Sequence, residues 1–153
     1  MRPTQHRRPA RAYLPVIDAS GGFTGHSVRM DDPSFRLQTI CIDCADALAM
    51  ADFYGQLLGW EPTLSEPNWV LMQNPDGGTG LSFQAEPEYR EPTWPERVEG
   101  QDKMLHLDIR VDDLDAAVAH ALAAGARLAE HQPRDRVRVL VDPAGHPFCL
   151  FLD

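Results

Sequence analysis

One stretch of this chain occurs twice. Residues 37–46 align with residues 104–113 when Thr39 is set against His106, 67 residues further on. In each copy an alternating apolar run passes through an Asp into an Ala-rich stretch of helical period. Each copy then continues into short apolar runs separated by Asn74-Pro75-Asp76-Gly77 or by Asp142-Pro143-Ala144-Gly145. A repeated unit of this size cannot bury its apolar face alone, so two copies predict one symmetric domain built from paired modules, with a cleft between them.

At 153 residues and 43% hydrophobic content, the chain has material for one ordinary core divided between the two copies. No run approaches the roughly 18 consecutive apolar residues of a membrane span, and the N-terminal segment lacks a signal-peptide core, so neither a membrane nor secretion is expected. Cys41, Cys44 and Cys149 are an odd number and too few for a disulfide framework, which fits a reducing, cytoplasmic setting. The net charge of −9 is uneven: residues 1–36 hold six Arg against three Asp, while the remainder is strongly acidic. An acidic body repels phosphate backbones, so nucleic acid is not an expected partner. Only Arg2, Arg7, Arg8 and Arg11 would favour one, and they read as a solvated arm.

Residues 1–34 mix Pro, Gly, Ser and Arg without apolar periodicity and read as a flexible basic extension; His6 and His26 fall there and are assigned no chemistry. The single domain is expected over 35–153, with module one at 36–84, an ordered Pro-rich linker at 85–103 and module two at 104–153. Alternation places Ile40, Ile42 and Cys44 on one side of the opening strand and Thr39, Cys41 and Asp43 on the other. Asp46 then caps a helix carrying Ala47, Met50, Ala51, Tyr54 and Leu58 on one face and ending at Gly59. Asp113 does the same for Leu114, Ala117, Val118 and Ala121. Strands are expected at 69–72, 81–84, 137–141 and 148–151, with Pro and Gly shaping the turns between them. The fold class is therefore α+β, two tandem modules of strand, helix and two or three further strands.

The βαβββ duplication resembles the glyoxalase-like branch of the vicinal oxygen chelate superfamily, which includes glyoxalase, bleomycin resistance and extradiol dioxygenase proteins. The residues carrying the resemblance are Asp46, Phe53-Tyr54 and Leu57-Leu58-Gly59-Trp60 in the first copy. In the second they are the run from His106 to Asp113 and the run from Asp142 to Leu150. The resemblance implies curved mixed sheets enclosing a central cavity, and assembly as a homodimer. In metal-dependent members it implies a divalent ion held by one side chain from the first strand and one from the last strand of each module. Those positions are Thr39 and Ser82, with Gln84 as an alternative register, and His106 and Cys149. Only His106 belongs to the usual His/Glu set, and neutral hydroxyls are poor ligands, so no metal is expected. Should one bind, His106 with Cys149 or Asp108 would hold it.

His106 is the candidate acid or base, with a structural histidine as the alternative reading. Cys149 reads as nucleophile, weak ligand or small buried residue. Cys41 and Cys44 have CxxC spacing, but opposite parity on a strand keeps the sulfurs apart. Asp43, Asp108 and Arg110 share the cavity-side parity, either pairing with one another or binding a polar ligand. Trp69, Trp94 and Tyr54 are candidates for an aromatic lining, with Tyr54 also suited to the helix core. His120, His131 and His146 read as surface or turn residues. The expected function is binding of a small polar or aromatic molecule in the inter-module cavity, without the usual metal. The alternatives are a divalent-metal-dependent lyase, isomerase or dioxygenase, and a structural or interaction domain with a vestigial cleft.

Overall fold

In the computed structural model two N-terminal strands, β1 (Ala12–Ile17) and β2 (Phe23–Val28), are described by their backbone, and residues 33–153 are described in full. β1 and β2 pair antiparallel, with Ala12 opposite Val28 and Ile17 opposite Phe23. The apolar pattern hides this pair because Pro15 faces Gly25 in the middle of it. A two-stranded ribbon tolerates Pro, since each strand has one free edge toward which the missing N–H can point. The expectation of a flexible arm, and the side chains of Arg2, Arg7, Arg8, Arg11, His6 and His26, lie outside the described residues. The chain divides into two compact units, Met1–Arg36 and Leu37–Asp153.

Within Leu37–Asp153 the repeat is realised strand for strand. Module one runs β3 (Thr39–Cys44), α1 (Ala47–Leu58), β4 (Pro62–Glu66), β5 (Trp69–Met72) and β6 (Gly80–Ala85), with strand order β3-β6-β5-β4. After the linker strands β7 (Pro92–Thr93) and β8 (Gln101–Asp102), module two runs β9 (Leu107–Arg110), α2 (Leu114–Ala124), β10 (Arg127–Leu128), β11 (Val137–Val141) and β12 (Pro147–Phe151). Its sheet has the matching order, β9 beside β12 and β10 at the far edge. In both sheets the first and last strands of the module are parallel neighbours, β3 with β6 and β9 with β12, which is what brings their side chains together. No helix among the described residues is long and apolar enough to cross a membrane.

The helices begin and end where the sequence pattern puts them. The Asp46 carboxylate accepts the N–H groups of Leu48 and Ala49, and Asp113 accepts that of Ala116, satisfying donors that a helix start leaves unpaired. Gly59 (φ 70°) and Gly125 (φ 114°) end the helices in a left-handed conformation. Each turn before the last strand is closed by its leading side chain: Asn74 accepts the N–H of Asp76, and Asp142 those of Ala144 and His146.

Both modules contribute to one core. Ile42, Phe53, Tyr54 and Phe83 of module one join Leu140, Phe148 and Leu150 of module two in a single buried cluster. The rings of Phe53 and Phe148 meet edge to face at 6.1 Å, and His120 of α2 donates to the Gln56 carbonyl of α1 at 3.0 Å. Each sheet therefore turns its helix side toward the shared core and its other side away. Parity follows accordingly: Cys44 is buried and Cys41 exposed, so the CxxC sulfurs diverge as their spacing on a strand requires.

The linker is ordered, and it folds back onto module two. The Tyr89 hydroxyl donates to the Ala144 carbonyl at 2.6 Å, and Glu91 pairs with Arg127 at 3.0 Å. β7 and β8 pair parallel just beyond, carrying Trp94 and Lys103 to the open face of the second sheet.

Candidate functional site

The open face of module two is built by alternation. Leu107 and Ile109 are half-buried toward the core, while His106, Asp108 and Arg110 are exposed on the other side. Parallel pairing of β12 with β9 sets Cys149 beside Asp108. His106 Nε2 lies 3.5 Å from Asp108 Oδ1, and the ligating atoms of His106, Asp108 and Cys149 all lie within 4.8 Å of one another. Burial pushes the Cys149 thiol up to about 11, helped by the Asp108 charge and by the hydrogen bond the thiol makes to that carboxylate. At neutral pH the Cys149 thiol is therefore held largely protonated, which slows its attack on an electrophile.

The cluster lines a hollow of about 380 Å³ together with Val137, Val139 and Pro147 from the strands, Trp94 and Lys103 from the linker, and Pro133 and Arg134. An adjoining hollow of about 500 Å³ shares Asp108, Arg134, Val137 and Cys149 and continues to Phe151. Two segments make the walls, each held by specific contacts. The Gln132 amide donates to the carbonyls of Ala129 and Val139 and accepts the Val139 N–H, standing in for a ladder residue where β10 has ended. On the other side Lys103 sits 4.4 Å over the Trp94 ring and is ion-paired with Glu96, while Trp94 also leans on His131 with ring centroids 6.1 Å apart. The Trp94 indole N–H is buried there without an acceptor.

The remaining expected residues fall elsewhere. Ser82, 1% exposed, bonds Thr39 hydroxyl to hydroxyl at 3.4 Å, and Gln84 is engaged with Glu86. Trp69 is half-buried on module one's open face. Asp43 lines a different hollow, of about 570 Å³, together with Cys41, Tyr89 and His146. None of the module-one residues lines either hollow of the His106 cluster. In one chain the expected residues thus form separate groups, because the modules pool their helix sides and leave the two open faces apart. Arg110 is ion-paired with Asp153, at 2.8 Å, rather than with Asp43 or Asp108, and that carboxylate holds the guanidinium more firmly charged. Tyr54 belongs to the core, stacked on Phe83 at 5.3 Å.

Sequence reasoning missed the polar junction between the modules. Asp142 is fully buried, accepting from Tyr54 Oη at 3.0 Å through one oxygen and from the Ala144 and His146 N–H groups at 2.9 Å through the other. Burial raises its pKa, and the charge of His146 and these hydrogen bonds work in the opposite direction. His146 reaches across the junction, donating from Nε2 to the Asp43 carbonyl at 2.7 Å and lying 3.0 Å from the Tyr89 hydroxyl. Along the chain only the Asp142-Pro143-Ala144-Gly145 turn is visible; its burial against Tyr54 is a contact between residues distant in sequence.

A protein-family model described as glyoxalase-like domain matches residues 39–151. No curated protein shows a significant match to the chain. Among solved structures, a glyoxalase/bleomycin resistance protein/dioxygenase family enzyme from Burkholderia phytofirmans is similar at 22% identity and TM-score 0.59, over 77% of this chain and 98% of that one. A glyoxalase-related enzyme from Fulvimarina pelagi is similar at 19% identity and TM-score 0.57, over 77% and 88%. An antibiotic binding protein from a Streptomyces species is similar at 20% identity and TM-score 0.52, over 78% and 96%. At these identities the likeness is one of fold.

Proposed function

Because the chain belongs to the glyoxalase-like domain family of the vicinal oxygen chelate superfamily, we propose that it binds a small polar or aromatic molecule on the open face of module two, without a metal. The observation that carries this reading is the His106–Asp108–Cys149 cluster, its polar atoms all within 4.8 Å of one another in a hollow also lined by Val137, Val139, Pro147 and Trp94. Such a mixture of a few convergent polar groups with apolar and aromatic walls is what orients a small ligand. Module one supports the metal-free form, since Thr39 and Ser82 are neutral and satisfy each other at the places where the family's other ligands would stand. The Streptomyces relative, described as an antibiotic binding protein, supports small-molecule binding as a use of this scaffold.

His106 is the group placed to hydrogen-bond a ligand or exchange a proton with it, with Asp108 orienting its ring. We further propose a homodimer, supported by an apolar patch at one side of module one's open face, where Leu64 is exposed and Trp69 and Leu71 are half-buried. A cytoplasmic location is supported by the three free cysteines.

A second reading is favoured by the same three donors. Imidazole, carboxylate and thiolate within reach of one another fit a borderline cation such as zinc, which would leave positions open for substrate and supply Lewis-acid chemistry. Binding would have to deprotonate Cys149, so affinity would climb with pH.

Elemental analysis of the purified protein and thermal melts against a compound library separate the two readings. Metal-free protein whose melting point rises with a compound, and whose response His106→Ala removes, supports the first. About one bound ion per chain, lost in His106→Ala and Asp108→Asn, supports the second. Neither response would leave a structural domain with a vestigial cleft.

A further inference from the structure

Resting on the reading that the hollow over His106 binds a small molecule, we propose that its ligand is an organic acid: an apolar body seated on Val137, Val139 and Pro147, with its anionic group taken by Arg134. The chain carries a net −9, with 20 of its 23 Asp and Glu beyond residue 36, yet this hollow is lined by Lys103 and Arg134 against a single carboxylate, Asp108. Lys103 is already committed, ion-paired with Glu96 and seated over the Trp94 ring. Arg134 is not: its guanidinium makes no ion pair or side-chain hydrogen bond among the described residues, and it lines both this hollow and the adjoining one.

The acid nearest to hand for neutralising this hollow is engaged. Asp108, the one carboxylate bordering the smaller hollow, is taken up by His106 and by the Cys149 thiol. Asp135 borders only the adjoining hollow, beside Arg136. A neutral ligand would leave Arg134 as an idle charge at the mouth of an apolar slot. A carboxylate, sulfonate or phosphate receives from it a planar pair of N–H donors. The strands supply the complementary half: half-buried Val137 lines the hollow beside Val139 and Pro147, with Trp94 and Pro133 as further apolar lining.

The test compares two fluorescent probes of similar ring system, 8-anilinonaphthalene-1-sulfonate and the uncharged N-phenyl-1-naphthylamine. Both are titrated into the full chain, into Arg134→Ala and into Val137→Trp, the last filling the hollow. Expected are binding of the sulfonate, weakening of about tenfold in Arg134→Ala and a comparable weakening as salt rises from 50 to about 500 mM. The uncharged probe should respond to neither change, and Val137→Trp should lose both probes. Should Val137→Trp fail to fold, slowed alkylation of Cys149 with probe bound locates the site equally well. If both probes bind in the hollow and Arg134→Ala weakens neither, acid recognition is overturned while small-molecule binding stands. If neither probe is affected by filling the hollow and neither protects Cys149, the underlying reading fails and takes this one with it.

Discussion

Replacing Tyr54 by Phe isolates a single atom at the junction of the two modules. The ring keeps its stacking on Phe83 at 5.3 Å and its edge contact with Phe53 at 4.8 Å, so only the hydroxyl is lost. That hydroxyl is the donor given to Asp142 Oδ2, the other oxygen being held by two backbone N–H groups, and the carboxylate is fully buried. A hydrogen bond to a buried charged group contributes about 1.5–3 kcal/mol. For a domain of this size that is a fall in melting temperature of roughly 5–15 °C. The sign with pH follows from the direction of the Asp142 shift. Burial raises its pKa above the unfolded value, so the folded protein holds the extra proton and the associated stability is fully present below about pH 4. That contribution is lost as pH rises through the folded pKa. The Tyr54 hydrogen bond counteracts the rise. Tyr54→Phe should therefore cost more at pH 7.5 than at pH 4.5, because the share of Asp142 that carries a buried charge shrinks as pH falls toward and through its raised folded pKa. Asp142→Asn, neutral at every pH, supplies the reference that subtracts the other carboxylates. Calorimetric melts of the three proteins at both pH values decide it. A Tyr54→Phe shift below about 1 °C, or one of equal size at the two pH values, would refute the reasoning.

Gly80→Ala puts a Cβ 2.3 Å from the Met72 carbonyl oxygen and 3.1 Å from the Gln73 Cα, both backbone atoms. β6 must then part from β5, and urea melts should show a loss of about 2–3 kcal/mol. Gly59→Ala meets no neighbour, yet it forces a side chain into φ 70°, so about 1 kcal/mol should be lost with the slope of the urea transition unchanged. Cys149, its thiol raised to about 11, should be alkylated by iodoacetamide far more slowly at pH 7.5 than the exposed Cys41 and should accelerate strongly by pH 10. Asp108→Asn should speed Cys149 at pH 7.5 without matching Cys41, because burial, the first cause of the raised pKa, remains. Peptide mass spectrometry reads both rates, and equal labelling at pH 7.5 would contradict the assignment.

What could be read from the sequence was local. Asp46 and Gly59, Asp113 and Gly125 bracket the two helices because caps act within a turn of the chain, and the parity of Ile42 and Cys44 against Cys41 and Asp43 is fixed by the pleat. What could not be read depended on partners distant in sequence. Nothing about Arg110 announces that it pairs with Asp153, or about Asp142 that its turn is buried beneath Tyr54. The strands at 12–17 and 23–28 were hidden for a different reason: Pro15 and Gly25 break the alternation at matching places.

The repeat itself limits how far the site could be anticipated. Positions 67 residues apart occupy matching places in the two sheets, so Thr39 corresponds to His106, Cys41 to Asp108 and Ser82 to Cys149. The scaffold is the same on both sides, but one copy carries two hydroxyls bonded to each other and the other carries an imidazole, a carboxylate and a thiol. A duplication predicts fold through what its copies share and locates chemistry through where they differ. That difference was visible along the chain. That the two sets would not meet in one cavity was not, because parity says which side chains share a face and leaves open which faces pack together. The packing of Phe53 against Phe148 settles that second question: it commits both helix sides to the core and leaves the titratable set on a face of its own, walled by the linker's Trp94 and the 131–136 segment.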